Sequence, residues 1–459
     1  MMKTALHVDL DLIRRYNKPG PRYTSYPTAP HFDDSYGPDA FEADLTQAAP
    51  DTPLSLYVHL PFCRSLCYYC GCHMKITQRG EAIQRYVDVL KQEIDQVAER
   101  LDTTRPVVQI HWGGGTPTYL TAEQIADLGT HIHRRFAVAS DAEISIEADP
   151  RGLTKDRVQA AASIGCTRMS FGVQDVNEKV QEAINRIQPT ETVEQSIAWA
   201  HEHGISGINI DLIYGLPYQT PERFSRTLDA VQRFDPGRIA LYSYAHVPSI
   251  KKHQRVIDED ALPGAEDKLH LFKMGIERLT GREGYRFIGM DHFARPDDEL
   301  ARAQENGDLH RNFQGYSTRA GAEIVAMGVS GISQLEGAYA QNVKALPAYY
   351  DRVADGHSTV YRGVRLTDDD QLRRHVIMQL MCNFHLDKEA VSKRFDIDVD
   401  RVLADAFERL APLEADGLVT CTSEAVHVQP PGRLLIRNVA MAFDAYWAHE
   451  ERPVHAQTV

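Results

Sequence analysis

Between residues 53 and 244 the chain alternates short apolar runs with amphipathic stretches six times, and that rhythm leaves few folds open. LSLYVHL (54–60) reads as a buried strand. Val87, Leu90, Ile94, Val97 and Leu101 then recur at three- and four-residue spacing, one apolar stripe of a helix. VVQIHW (107–112), AEISIEA (142–148), TRMSFGV (167–173), INIDLIYG (208–215) and RIALYSY (238–244) are five further strands. Helices are expected at 121–136, where Thr121 and Gln124 fit a capping box, and near 154–164, 176–185, 190–203 and 221–234. Consecutive βα units build a parallel sheet with helices outside it, and six are too few to close an eight-fold barrel. The expected fold is therefore α/β, a partial (β/α)6 barrel. Ligands of such sheets gather at the carboxyl ends of the strands. His59 stands at the end of the first strand with a cysteine loop after it, Gly113, Gly114 and Gly115 follow the second, and Glu147 stands at the end of the third. Gln174 follows the fourth, Asp211 stands near the end of the fifth, and Tyr242 to His246 close the sixth. Polar groups from six strands thus share one rim.

The flanks read differently. Residues 1–52 are expected to form an irregular arm; KPGPRYTSYPTAPHF (18–32) holds four prolines and three aromatics, too many aromatics for a solvated linker. The catalytic unit is expected at 53–364, with FIGMDHFARPDDEL and HRNFQGYSTRAG as irregular polar stretches of the lid or binding type. From 365 to 459 the alternation stops. Helical patterns run near 368–382, 387–394 and 400–415, a short hairpin lies within 417–432, and a last helix is expected near 432–447. Such a mostly helical, winged-helix-like domain raises DNA binding. From residue 366 onward, however, ten Lys and Arg face sixteen Asp and Glu, and the whole chain carries −14, so no nucleic-acid partner is expected. No run of 18 apolar residues occurs, and MMKTALHVDLDLIRRYNKPG has acids and a Pro-Gly where a signal peptide needs an apolar core. The expectation is a cytoplasmic protein without a membrane partner.

Of the seven cysteines, Cys63, Cys67, Cys70 and Cys72 fall within ten residues, which suggests a metal rather than disulfides. Thiolates hold zinc or iron–sulfur clusters. No second knuckle stands at a zinc-like spacing, whereas three close thiolates suit three irons of a [4Fe–4S] cube and leave the fourth open. Cys72 is too close to Cys70 for a comfortable fourth ligand. Cys166, Cys382 and Cys421 read as small buried hydrophobes, and His201 with His203 lacks the i, i+4 spacing of a metal pair. A structural zinc knuckle remains the alternative at the loop, and a core role the alternative for His59.

C-x3-C-x2-C after the first strand of a partial barrel, joined by GGGTP at 113–117, resembles the radical S-adenosylmethionine (SAM) superfamily. YVHLPFCRSLCYYCGC (57–72), EISIEADPRG (143–152), NIDLIYGLPYQT (209–220), HRNFQGY (310–316), GRLLIRN (432–438) and the arm RYNKPGPRYTSYPTA (15–29) are similar to the oxygen-independent coproporphyrinogen III oxidase (dehydrogenase) family. The likeness runs over nearly the whole chain. It implies a radical SAM barrel with a [4Fe–4S] cluster on Cys63, Cys67 and Cys70 and two SAM molecules. It also implies a 5′-deoxyadenosyl radical that attacks a propionate β-carbon, so that no side chain need serve as catalytic acid or base. Two propionates of coproporphyrinogen III lose CO₂ in turn, giving the vinyls of protoporphyrinogen IX. The residues matching the family's SAM contacts are Tyr57, Tyr69, Gly71, Gly114, Gly115, Thr116, Glu147, Gln174, Arg186, Asp211, Ala245 and Ile332. Arg186 would pair with a carboxylate, Asp211 with ribose hydroxyls. Arg22 and Arg311 are candidates for the substrate propionates. The resemblance further implies a monomer served by an unidentified electron donor and acceptor. A haem-handling relative of the same superfamily and a zinc-bound interaction module are the rival readings. Tight haem binding without CO₂ loss would mark the first, and zinc without iron the second.

Overall fold

In the computed structural model, which describes residues 6–447 and 457–458, the six strands are β1 Leu54–Leu60, β2 Val107–Gly114, β3 Val138–Ala148, β4 Arg168–Gln174, β5 Gly207–Tyr214 and β6 Arg238–Ser243. They lie side by side in that order, all parallel. Helices Gly80–Arg100, Ala122–Arg135, Lys155–Ser163, Glu178–Ala183, Thr190–Glu202 and Pro221–Phe234 connect them. Thr121 and Gln124 form the expected capping box.

Strand pleat sorts the side chains. Leu54, Leu56 and Val58 of β1, Ile110 and Trp112 of β2, and Ile208, Ile210 and Leu212 of β5 are buried, and the other parity carries polar groups. Register brings those polar positions together: His111 faces Ser145, Glu147 faces Ser170, and Gly172 faces Asp211. One parity therefore packs on the helices while the other lines a polar interior. The helix Gly80–Arg100 buries Ile83, Val87, Leu90 and Ile94 in the shared core. Truncating Leu90 to Ala there costs about 2–5 kcal/mol.

Three regions depart from expectation. Among the described residues the sheet has twelve strands. Glu323–Met327 adds parallel to β1, and Ile332–Leu335, Ala338–Asn342 and Val360–Arg365 follow antiparallel. Beyond β6 lie His292–Ala294 and Arg286–Gly289. The supposedly irregular stretches at 287–300 and 310–321 are thus largely hairpins, the second pairing His310–Asn312 with Gly315–Ser317. Strands of three or four residues are too short to display a period. The arm also carries helices Leu10–Tyr16, capped by Asp9, and Pro38–Gln47. Beyond residue 365, helices Asp368–Asn383, Lys388–Phe395 and Ala404–Ala415 pack with a small antiparallel sheet of His385–Asp387, Ala425–Val428 and Val419–Cys421. The expected last helix is two short ones, Pro430–Leu434 and Ile436–Met441. Residues 1–5 of the arm, and 448–456 and 459 of the C-terminal segment, lie outside the described residues. Among the described residues no helix is long and apolar enough to cross a membrane.

Candidate active site

Two loops meet by their backbones at the carboxyl ends of β1 and β2. The Gly115 N–H donates to the Leu60 carbonyl at 2.9 Å and the Thr116 N–H to that of Phe62 at 2.9 Å. A Cβ at Gly115 would stand 2.6 Å from the Pro61 carbonyl oxygen, and Gly114 has a φ of +116° against the His59 ring, so neither position accepts a side chain. His59 is buried between the Tyr57 hydroxyl and the His73 carbonyl, each 3.0 Å away, and burial holds its pKa down at about 4. It is a neutral wedge under the cysteine loop.

Other elements grip the same loop. The Asn185 amide donates to the Leu66 carbonyl (2.7 Å), Gln254 to that of Tyr69 (2.9 Å), His253 to that of Cys70 (2.8 Å) and Lys251 to that of Cys72 (3.2 Å). Cys63, Cys67 and Cys70 are free thiols facing one cavity of about 580 Å³. The Thr116 hydroxyl lies 3.3 Å from Cys63 Sγ. Arg151 and Arg186 reach Cys67 Sγ at 3.3 and 3.5 Å, both braced on Asp149. Burial pushes the Cys63 thiol up to about 11, whereas hydrogen bonding from Cys72, aided by Lys251 and His253, brings Cys70 down to about 6 despite burial.

The cavity's opposite wall comes from the barrel strands. Glu147 accepts the Gly114 N–H at 3.1 Å and stands 3.4 Å from His111 Nε2. Burial works to raise its pKa, but those partners outweigh it and keep the carboxylate ionised below the usual range. Asp211 is pushed the other way, to about 7, by burial and then by the charge of Glu147. Gln174 has a φ of +67°, is 8 % exposed, and leaves Oε1 without a partner. Arg186 donates from Nη1 to Asp149 and Cys67 and from Nη2 to the Gly172 carbonyl, and its Nε has no partner. Tyr69, Gly71, Thr116 and Ala245 also line the cavity. Tyr57 and Ile332 do not: Tyr57 stacks on His111 from behind, at 5.8 Å between centroids, and Ile332 packs with Phe32, Tyr339 and Leu366.

Ser243, Tyr244, Ala245 and Val247 are shared with a second cavity of about 370 Å³, which holds Arg22, Lys268 and Arg437. Arg22 pairs with Asp291 there. Glu147, Ser170, Asp211 and Tyr242 are shared with a third, inner cavity of about 120 Å³, walled by Gln314 and Tyr316 of the 310–317 hairpin. Arg311 of that hairpin stacks over Tyr316 at 4.7 Å; it is 5 % exposed, and its Nε and Nη1 have no partner. Below, Glu143 with Arg168, and Arg238 with Asp298 and Glu299, close the barrel floor. Cys166 and Cys382 are buried as expected, while Cys421 is half-buried.

The donor set fits a cluster. No three His, Cys, Asp or Glu side chains among the described residues converge on one point as a single ion requires; in a cube each thiolate takes a separate iron. The unpartnered Gln174 Oε1 and Arg186 Nε, both buried, point to a polar ligand beside it. Asp149, Arg151, Lys251, His253 and Gln254 were not singled out from sequence. Asp149 and Arg151 had a signal, following β3 directly; His253 and Gln254 reach the loop from 183 and 185 residues away and had none.

Comparison with known proteins agrees with this geometry. A family model described as Radical SAM superfamily matches residues 57–231, and a HemN C-terminal domain model matches 366–435. The oxygen-independent coproporphyrinogen III oxidase of Escherichia coli K12 is 47% identical over 97% of this chain and 96% of its own. That of Synechocystis is 43% identical over 96% of each. The solved structure of coproporphyrinogen III oxidase (HemN) from Escherichia coli, described as a radical SAM enzyme, superposes with a TM-score of 0.92 at 45% identity, covering 96% of this chain and 100% of that one.

Proposed function

Because this chain belongs to the radical SAM family of oxygen-independent coproporphyrinogen III oxidases, we propose that the cavities at its barrel rim bind SAM and coproporphyrinogen III, and that it converts two propionates of the latter to vinyls with loss of CO₂. When bound, the [4Fe–4S] cluster and SAM supply the 5′-deoxyadenosyl radical that takes hydrogen from the propionate. Everything else falls to the chain's own residues.

Cys63, Cys67 and Cys70 hold the cluster, with Arg151 and Arg186 placing two cations beside the Cys67 sulfur. Those N–H groups reach the sulfur directly and fix its position on the cavity wall. The bare Gly114–Gly115 turn lets backbone approach SAM closely, and Gln174 Oε1 and Arg186 Nε offer it one acceptor and one donor. Glu147 and Asp211 place acidic oxygens on the cavity wall, where they would hold the positive charge and hydroxyls of SAM. A second SAM and the porphyrin would share the remaining space toward Ala245 and the second cavity. Arg311, Arg22 and Lys268 supply cations for the propionates, and the arm, held by Arg437, keeps water from the mouth. Residues 1–52 act as that arm, 53–364 as the catalytic unit and 365–459 as its mostly helical cover. The reading extends to a cytoplasmic monomer without a membrane partner, served by separate electron donor and acceptor molecules, and the net charge of −14 opposes a nucleic-acid partner.

Three cysteines facing one cavity beside two orphaned, buried polar atoms carry the reading. It is tested by anaerobic turnover of cluster-reconstituted protein with SAM, a reductant and coproporphyrinogen III, followed by mass spectrometry. Two successive CO₂ losses with 5′-deoxyadenosine formed, both abolished in Cys67→Ala, are expected. Deoxyadenosine without change in the porphyrin would discard the substrate, and neither product from protein with an intact cluster would discard the enzyme.

A further inference from the structure

Two hydrogen bonds just beyond β6 form a relay. The Tyr244 hydroxyl lies 2.9 Å from His246 Nδ1, and His246 Nε2 lies 3.1 Å from a Glu259 carboxylate oxygen. A carboxylate only accepts, so Glu259 keeps the ring proton on Nε2 and leaves Nδ1 to accept the Tyr244 O–H.

Tyr244 stands in a wall with a chamber on each side. Ser243, Tyr244, Ala245 and Val247 line both the cavity at the cysteines and the second cavity, whereas His246 lines only the second. The backbone of this wall is fixed from several directions. The Tyr244 N–H donates to the Tyr214 carbonyl at the end of β5 (2.9 Å), and Lys268 Nζ donates to the Tyr244 carbonyl (2.9 Å). Gln254 is 1 % exposed; it accepts the Val247 N–H at 2.6 Å and donates to the carbonyls of Ala245 (3.2 Å) and Tyr69 (2.9 Å), which ties the wall to the cysteine loop. The Tyr244 ring packs with Ile213, Leu216 and Ile257, and among the described residues only His246 holds its hydroxyl.

As a stabilising device the relay is weak. The Glu259 side chain is 71 % exposed, and a pair that open to water adds little to the fold. What such a pair does set is one tautomer and one orientation of the imidazole, and through it one position of the phenol.

We propose that His246, oriented by Glu259, is a positioning residue for the reaction: it pins Tyr244 as the spacer between the two chambers and so sets how near the porphyrin in one brings its propionate to SAM in the other. Reacting groups tolerate little misplacement, since a shift of about 1 Å costs on the order of 100-fold in rate. The inference rests on the reading of these cavities as the SAM and porphyrin sites.

The test uses the full chain with its cluster loaded, SAM, a reductant and coproporphyrinogen III. It reads kcat, the porphyrin KM, deoxyadenosine formed per CO₂ released, and melting temperature. His246→Ala and Tyr244→Phe are each expected to lower kcat about 10-fold or more, to shift KM by less than about 3-fold and to raise deoxyadenosine over CO₂, with melting temperature close to that of wild type. His246→Asn, whose side-chain oxygen can accept the Tyr244 O–H in place of Nδ1, is expected to recover most of the rate and of the coupling. Glu259→Ala should show the defect of His246→Ala more weakly. Unchanged kcat in His246→Ala, a raised KM at unchanged kcat, a fall in melting temperature with turnover per folded molecule preserved, or no rescue by His246→Asn overturns the proposal. Wild-type protein with an intact cluster that releases no CO₂ strikes instead the function proposed for the cavities, and this inference with it.

Discussion

Asp211 is enclosed in the barrel with the Ser170 hydroxyl 3.4 Å away, and burial and Glu147 lift its pKa to about 7. It is protonated below that pH and charged above it. A ligand bearing positive charge favours the ionised form, so binding SAM below about pH 7 must expel a proton. SAM affinity is therefore expected to climb as pH rises through 7 and to level off above, and to flatten in Asp211→Asn. Calorimetry in buffers of different ionisation heat measures both affinity and proton release; a flat wild-type profile would take Asp211 out of ligand contact. Arg311 poses the complementary case. A buried cation with two unpartnered nitrogens is costly, and a propionate is the counter-ion the reaction brings. Arg311→Met is expected to raise the porphyrin KM by about 10-fold or more, the loss of one charged hydrogen-bonded contact, while melting temperature holds or rises. A fall in melting temperature with KM unchanged would make Arg311 structural.

The two rim loops work as one element because nothing stands between their backbones. Gly115→Ala places a methyl 2.6 Å from the Pro61 carbonyl and must part the loops, whereas Gly152→Ala on the same side meets nothing within 4 Å. The first is expected to lose most of its bound iron on reconstitution and the second to keep it, as iron and sulfide assays would show; equal iron contents would mean that the loop contact does not shape the site. The barrel floor behaves as an ionic element. Burial would raise Glu143, but Arg238 and Arg168 outweigh it and hold it at about 2. A depressed carboxylate stabilises the fold above its unfolded pKa near 4.5, by about 3 kcal/mol, and that gain drains away as pH falls toward 2. Glu143→Gln is thus expected to unfold at lower denaturant than wild type near neutrality, the gap closing in acid. The six strands and their rim were legible because βα repetition and apolar periodicity are local signals. The polar parity of the same strands was hidden: Gln109, Glu143, Arg168 and Arg238 satisfy one another only once register aligns them. The hairpins at 286–294 and 310–317 were missed because so few residues carry no period, and His253 because its contact depends on where the chain returns.

Across the whole molecule, one contiguous core runs from Val8 in the arm to Phe443 near the C-terminus, and the arm is held by the chain's other end. Arg437 donates to the carbonyls of Gly20 and, at 2.7 Å, Pro21; Asn438 donates to that of Tyr16 at 2.9 Å. Tyr23, at a φ of +48° that a bulky residue keeps only when its surroundings impose it, donates to Asp444 at 2.8 Å. Burial, then Arg22, lowers the Arg437 pKa to about 10, still charged at neutral pH. This clamp sets Arg22 against Asp291 in the second cavity, so the C-terminal segment shapes the reaction chamber without lining the cluster side of it. A radical formed there needs a closed, dry site, and losing the clamp should open it. In Arg437→Ala, limited proteolysis is expected to cut within residues 17–28 faster than in wild type, and deoxyadenosine should form in excess over CO₂ released. Tyr23→Phe, which removes one hydrogen bond worth about 1 kcal/mol, should show the same uncoupling more weakly. If the arm stays protected in Arg437→Ala while coupling is lost, Arg437 acts on substrate directly; if the arm is cut and coupling survives, closure at this mouth does not guard the radical.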